Sequence, residues 1–188
     1  MGDINTKLLL NDELFKEIHQ LKNEFVNLYS EIANQISEEE LSGFASNHKG
    51  KKISKGNELQ HCPYQVLDLV RDFDTQTGFN IRFLNWWGHG MYVIIYHGAT
   101  NLPTEEQYLQ YLSSGYKLSL AGSPWDYKSI IIHDRQSSSR SYDDLSVHLK
   151  KIKHLQLIKP IPYPSSFDLL KSILMKEWRL LKKFRDIK

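Results

Sequence analysis

The stretch that decides the fold runs Phe79-Asn-Ile-Arg-Phe-Leu-Asn-Trp-Trp87, Gly88-His89-Gly90, Met91-Tyr-Val-Ile-Ile-Tyr-His97. In its first part Phe79, Ile81 and Phe83 alternate with Asn80 and Arg82, the period of two expected of a strand with one buried face. Its last part is β-branched and aromatic, and apolar on both faces, which predicts a central strand covered on both sides. The glycine-flanked turn between them predicts an antiparallel hairpin.

Toward the N-terminus, apolar residues recur at three- and four-residue spacing from Leu14 to Ile36, which predicts a long helix over 11–36 with Asn11 as its cap. Residues 46–57 carry four Lys and two Gly around a single apolar side chain and read as an exposed loop. Pro63 then suits the first turn of a short helix over 64–73, with Val66, Leu67, Leu69, Val70 and Phe73 on one stripe.

Toward the C-terminus, residues 103–114 read as a helix capped by Thr104, and Gly122-Ser-Pro-Trp125 as a turn. A strand is expected over 128–134, a polar loop over 135–141, a helix over 142–153 and a strand over 155–160. Three prolines, Pro160, Pro162 and Pro164, lead into a closing helix over 165–185. This order predicts an α+β fold in one domain spanning 1–188: a mainly antiparallel sheet of about four or five strands, with long N- and C-terminal helices packed on it. A doubly wound nucleotide-binding fold is not expected, because regular βαβ alternation and a glycine-rich phosphate turn are both missing.

The composition is that of a chain able to bury a core: aromatic residues make up 12% of it, which argues against disorder. Cys62 is the only cysteine, so no intrachain disulfide can form, and a reducing, cytoplasmic setting is expected. Residues 1–10 lack the pattern of a signal peptide, and the apolar run 91–96 is far short of a membrane span. Charge is polarised: residues 1–48 hold three Lys against nine carboxylates, and residues 149–188 hold eleven Lys or Arg against three. An acidic first helix packed near a basic last helix accounts for this; an anionic partner for the basic end is the sharper reading.

In its order of elements the whole chain resembles the bacterial YktB-like family (DUF1054). The likeness is carried by a long first helix, the strand pair around Phe79-Asn-Ile-Arg-Phe and Met91-Tyr-Val-Ile-Ile-Tyr, a helix, the strand Ser129-Ile-Ile-Ile-His-Asp134, a helix ending near Lys150-Lys-Ile-Lys153, a strand, and a closing helix. That family has no assigned function, so the resemblance implies an α+β fold and no catalytic residues.

Several constellations are candidates for chemistry. His61, Cys62, His89, His97 and His133 fall in or near the β region, but no pair has a metal-ligand spacing, and no metal or cofactor is expected. Cys62 ahead of a helix start would be an activated thiol, with His89 or His97 as base in a hydrolase-type reaction. Strand aromatics beside the basic loop, or the basic C-terminal region, would suit nucleic acid. The closing helix could dock on an anionic membrane or a partner, although packing on the sheet accounts for its stripe. The preferred reading is a cleft between the hairpin and residues 61–74. There Tyr64, Arg71, Arg82, Trp86 and His89 would converge on a small acidic or aromatic molecule, or on a protein partner.

Overall fold

The computed structural model describes residues 3–138 and 141–187. Its frame is a seven-stranded sheet in the order β1-β2-β3-β4-β7-β5-β6, every neighbouring pair antiparallel. The strands are β1 (Lys52–Leu59), β2 (Cys62–Arg71), β3 (Phe79–Trp86), β4 (Gly90–Gly98), β5 (Lys117–Ser119), β6 (Gln136–Ser137) and β7 (His154–Ile161). The sheet is thus larger than the four or five strands expected. The hairpin read from sequence is β3–β4, in continuous register from Phe79 opposite His97 to Trp86 opposite Gly90.

The added strands come from segments whose chemistry disguises them. Residues 52–59 form an edge strand, not a loop; Lys52 and Lys55 point to solvent, where charge discourages pairing with another chain. Residues 62–71 form a strand, not a helix. Gln65 to Val70 are all buried because both faces of β2 are covered there, and such a run also satisfies helical spacing. The β1–β2 turn, Gln60-His61, holds two positive φ angles, 48° and 64°, without glycine. Residues 128–132 form a π-helical turn, Lys128–Ile132, in place of the expected strand. Asp126 Oδ1 accepts from the Ser129 amide at 3.0 Å, and Gln136 Nε2 donates to the Ile130 carbonyl at 2.7 Å. Ile130 is buried while Ile132 is exposed, so the turn pins one side chain against the sheet. Within the loop expected over 135–141, Gln136–Ser137 pair with β5; residues 139 and 140 lie outside the described residues.

The helices are α1 (Thr6–Leu9), α2 (Asp12–Gln35), α3 (Glu38–Ser42), α4 (Glu105–Ser113), α5 (Asp144–Ile152) and α6 (Phe167–Arg185). Asn11 caps α2 by accepting from the Leu14 amide at 3.0 Å, and Thr104 with Gln107 forms a capping box on α4. One face of the sheet packs on α2, α4 and α6 in a core that includes Tyr29, Ile32, Phe83, Leu157, Leu174 and Trp178. Only the second half of α2 is buried; Phe15 and Leu21 are exposed. The charge polarity resolves between helices: Lys171 of α6 meets Glu31 of α2 at 2.8 Å, and Lys182 of α6 meets Glu40 of α3.

The opposite face carries a smaller cluster, Val66, Leu84, Trp86, Ile94, Tyr127 and Ile130 among it, covered by the segment 121–132. That cover stops short of β1 and leaves part of this face open.

Candidate functional site

The open part of the second face is a groove of about 610 Å³. Tyr64 and Val66 of β2 and Arg82 and Leu84 of β3 line it, with Trp125 and Tyr127 of the covering segment and the Gly56–Leu59 end of β1. These strand residues share a face because Tyr64 pairs across to Trp86, Val66 to Leu84 and Asp68 to Arg82 in register. Gly56 is opposite Tyr64, and a Cβ there would come within 2.6 Å of the Tyr64 ring. Glycine is what lets the phenol lie across β1.

Arg82 organises the site. Its Nε and Nη2 donate to Asp68 Oδ1 at 2.8 Å and Oδ2 at 2.9 Å, and its Nη1 donates to the Tyr127 hydroxyl. Asn80 Nδ2 adds a bond to Asp68 Oδ1 at 3.1 Å. The guanidinium also lies 4.9 Å from the Trp125 ring centre and 5.4 Å from that of Phe73. Burial alone would lower the Arg82 pKa, but the bonds and charge of Asp68, together with Tyr127, raise it above its ordinary value. Arg82 therefore stays charged, and the Tyr127 phenol, raised chiefly by burial, stays neutral.

A second basin of about 790 Å³ adjoins the groove through Ser54 and Arg82, and carries Lys49, Lys52 and Arg71 with Asp72 and Asp74. Arg71 Nη2 donates to the Lys49 carbonyl at 2.9 Å. Asp74 is held below the usual carboxylate range by the backbone amides of Thr77 and Gln76. A third basin, about 550 Å³, lies on the far side of Trp125.

Of the residues expected at a cleft, Tyr64 and Arg82 line one groove and Arg71 the adjoining basin. Trp86 is fully buried beneath them, its Nε1 donating to the Leu59 carbonyl at 2.9 Å. His89 sits in the β3–β4 turn with its ring centre 4.0 Å from that of Trp86, and lines neither the groove nor the basin. Trp125, Tyr127, Phe73 and Asp68 were not foreseen as a site. The signal for Asp68 was a carboxylate inside the apolar run Val66-Leu-Asp-Leu-Val70, which needs a buried partner.

Cys62 begins a strand, so no helix N-terminus stands behind its thiol and that argument for activation falls. Among the described residues no three His, Cys, Asp or Glu side chains gather as metal ligands, and no helix is long and apolar enough to cross a membrane. His97 is a core residue: its Nδ1 donates to the Asn101 carbonyl at 2.7 Å, and burial pushes its pKa down from 6.5 to about 4. The unfolded chain binds this proton near the ordinary value of 6.5 and the folded chain only near 4. Stability is thus full above the upper value and falls as pH drops through the window, by about 3 kcal/mol at most. Urea unfolding at pH 7.5 and pH 4.5 is expected to show this loss in the wild type, with the pH slope reduced in His97→Gln.

Comparison with family models, with curated proteins and with solved structures finds no match to this chain.

Proposed function

We propose that the protein binds a small molecule carrying a planar ring and an anionic group, the ring in the Tyr64–Trp125 groove and the anion toward Lys52 and Arg71. One observation carries the reading: Trp125 is 49% exposed yet held by its neighbours. Its ring stands edge-on to Phe73 at 4.8 Å and over the Arg82 guanidinium, and its amide bonds Ser123 Oγ at 3.3 Å. An immobilised, solvent-facing indole above an apolar floor is a stacking surface whose ordering is already complete before binding. With Asp68 neutralising Arg82, Lys49, Lys52 and Arg71 outnumber Asp72 and Asp74 in the adjoining basin, which favours an anionic tail.

The nucleic-acid reading is weaker, since Lys171, Lys182 and Arg185 of the basic closing helix already face Glu31, Glu40 and Asp186. A protein partner and a Cys62-dependent hydrolysis have no comparable geometry in their favour. The YktB-like likeness is proposed on element order alone, in which residues 129–134 do not supply a strand. A cytoplasmic setting is proposed from the single cysteine.

Titration with AMP and with indole-3-acetate, followed by tryptophan fluorescence, tests the reading. Saturable binding of at least one probe is expected. Trp125→Ala should weaken it about tenfold, the worth of one good aromatic contact. Lys52→Ala with Arg71→Ala should weaken it further and flatten its salt dependence. Failure of both probes, or wild-type affinity in Trp125→Ala, would overturn the proposal.

A further inference from the structure

Behind the Trp125–Phe73 wall lies the third basin, and its chemistry differs from that of the groove. Phe73, Tyr96 and Trp125 present rings to it, and His154 of β7 lines its inner side. At its back is a recess of about 10 Å³, room for one water-sized group, which shares Phe73, Tyr96, Pro124 and Trp125 with the basin and reaches Gln156. His154 and Gln156 are alternate residues of β7 and face the same side of the sheet.

Both side chains are buried, at 5% and 2% exposure, and each holds an acceptor with no partner in the protein. For His154 the tautomer follows from its neighbour. Nδ1 lies 3.1 Å from the Ile152 carbonyl, which can only accept, so Nδ1 carries the hydrogen and Nε2 presents a lone pair. For Gln156 the amide Nε2 donates to the Pro124 carbonyl at 2.9 Å, which leaves Oε1 bare. Buried acceptors without donors are costly and call for hydrogens from elsewhere.

The occupant's charge is constrained from both sides. Two bare acceptors repel an anion. Arg82 already lies over the Trp125 and Phe73 rings, and Lys153 lines the basin, so a cation is disfavoured as well. Among the described residues no carboxylate lines the basin to offset a ligand cation. A neutral molecule rich in hydroxyl donors, with C–H faces to lay on aromatic rings, fits these conditions.

We infer that this basin is a sugar-binding site, separate from the ring-and-anion groove. A pyranose lies on Tyr96 and Trp125 and donates hydroxyl hydrogens to His154 Nε2 and, through the recess, to Gln156 Oε1. The basin volume of about 550 Å³ is within the range of small-ligand clefts.

The test is an NMR titration of the full chain, backbone amides and side-chain nitrogens observed, with glucose, galactose and N-acetylglucosamine in turn. At least one sugar is expected to move the Thr75, Tyr96, Lys153 and His154 signals and the His154 Nε2 resonance, while Ser54, Tyr64 and Leu84 stay in place. His154→Phe, checked for an unchanged amide spectrum elsewhere, should weaken that sugar about tenfold. Gln156→Met is the second variant and should act in the same direction. Shifts confined to the Tyr64 groove, no shifts with any of the three sugars, or unchanged affinity in both variants would each overturn the site. Because AMP and indole-3-acetate report on the groove and sugars on the basin, either proposal can fail without the other.

Discussion

Replacing Asp68 by Ala is expected to cost about 3–5 kcal/mol of folding stability, because it leaves the Arg82 guanidinium buried without its counter-ion. The side chains of Asp68 and Arg82 are 4% and 11% exposed, so solvent screens the pair little. Arg82 would retain only the Tyr127 hydroxyl and the faces of Phe73 and Trp125, and Asn80 Nδ2 would keep one bond, to the Val70 carbonyl at 2.6 Å. The loss belongs to the orphaned charge and not to the pair as such. The double variant Asp68→Leu with Arg82→Met is therefore expected to recover most of the stability, since two well-packed apolar side chains can replace a dry ion pair at little cost. Urea unfolding of the two single variants and the double one separates these contributions. A single Asp68→Ala variant within about 1 kcal/mol of the wild type would mean that the pair is solvated in solution. The pair between α2 and α6 provides the contrast: Glu31 is 57% exposed, and removing it should change stability little.

The same pair shows what the sequence could and could not reveal. Helices α2, α4 and α6 were legible because their caps and stripes are local features, settled within a few residues. The β3–β4 hairpin was legible for the same reason. Strand β2 was not, because a segment buried on both faces loses its alternation, and its turn adopts two positive φ angles with Gln60 and His61 where glycine or asparagine is the usual signal. Strand β1 looked like a loop because the lysines that protect an edge are also those that solvate a loop. The site follows the same division. Tyr64 and Arg82 stood out as polar or aromatic residues beside strands, whereas Trp125 entered only when the 121–132 segment folded back over the sheet. His154 and Gln156 read as ordinary strand residues; only the partners that each finds or lacks mark them.

Trp86→Ala is expected to cost about 3–5 kcal/mol, the range for deleting a buried tryptophan, with no direct effect on ligand contact. The indole is completely buried among Val66, Leu84 and Ile94, and its Nε1 supplies a donor to the Leu59 carbonyl at the end of β1. Its removal leaves a cavity beneath the groove and an unpaired carbonyl at the groove's edge, so two penalties coincide in one variant. Trp86→Phe should be milder, because the ring still fills most of the space and only the hydrogen bond and part of the volume are lost. His89→Ala, which removes the half-buried ring lying tilted against Trp86, should be milder again. Thermal and urea unfolding of the three variants therefore give the order Ala, Phe, His89→Ala, from largest to smallest loss. The ranking decides how Trp86 acts on binding. If Trp86→Ala unfolds as predicted, weaker AMP or indole-3-acetate binding in that variant reflects a loosened groove floor. If instead it matches the wild type in stability while losing the ligand, the indole must reach the groove in solution. Trp86 would then join Tyr64 and Trp125 as a contact residue.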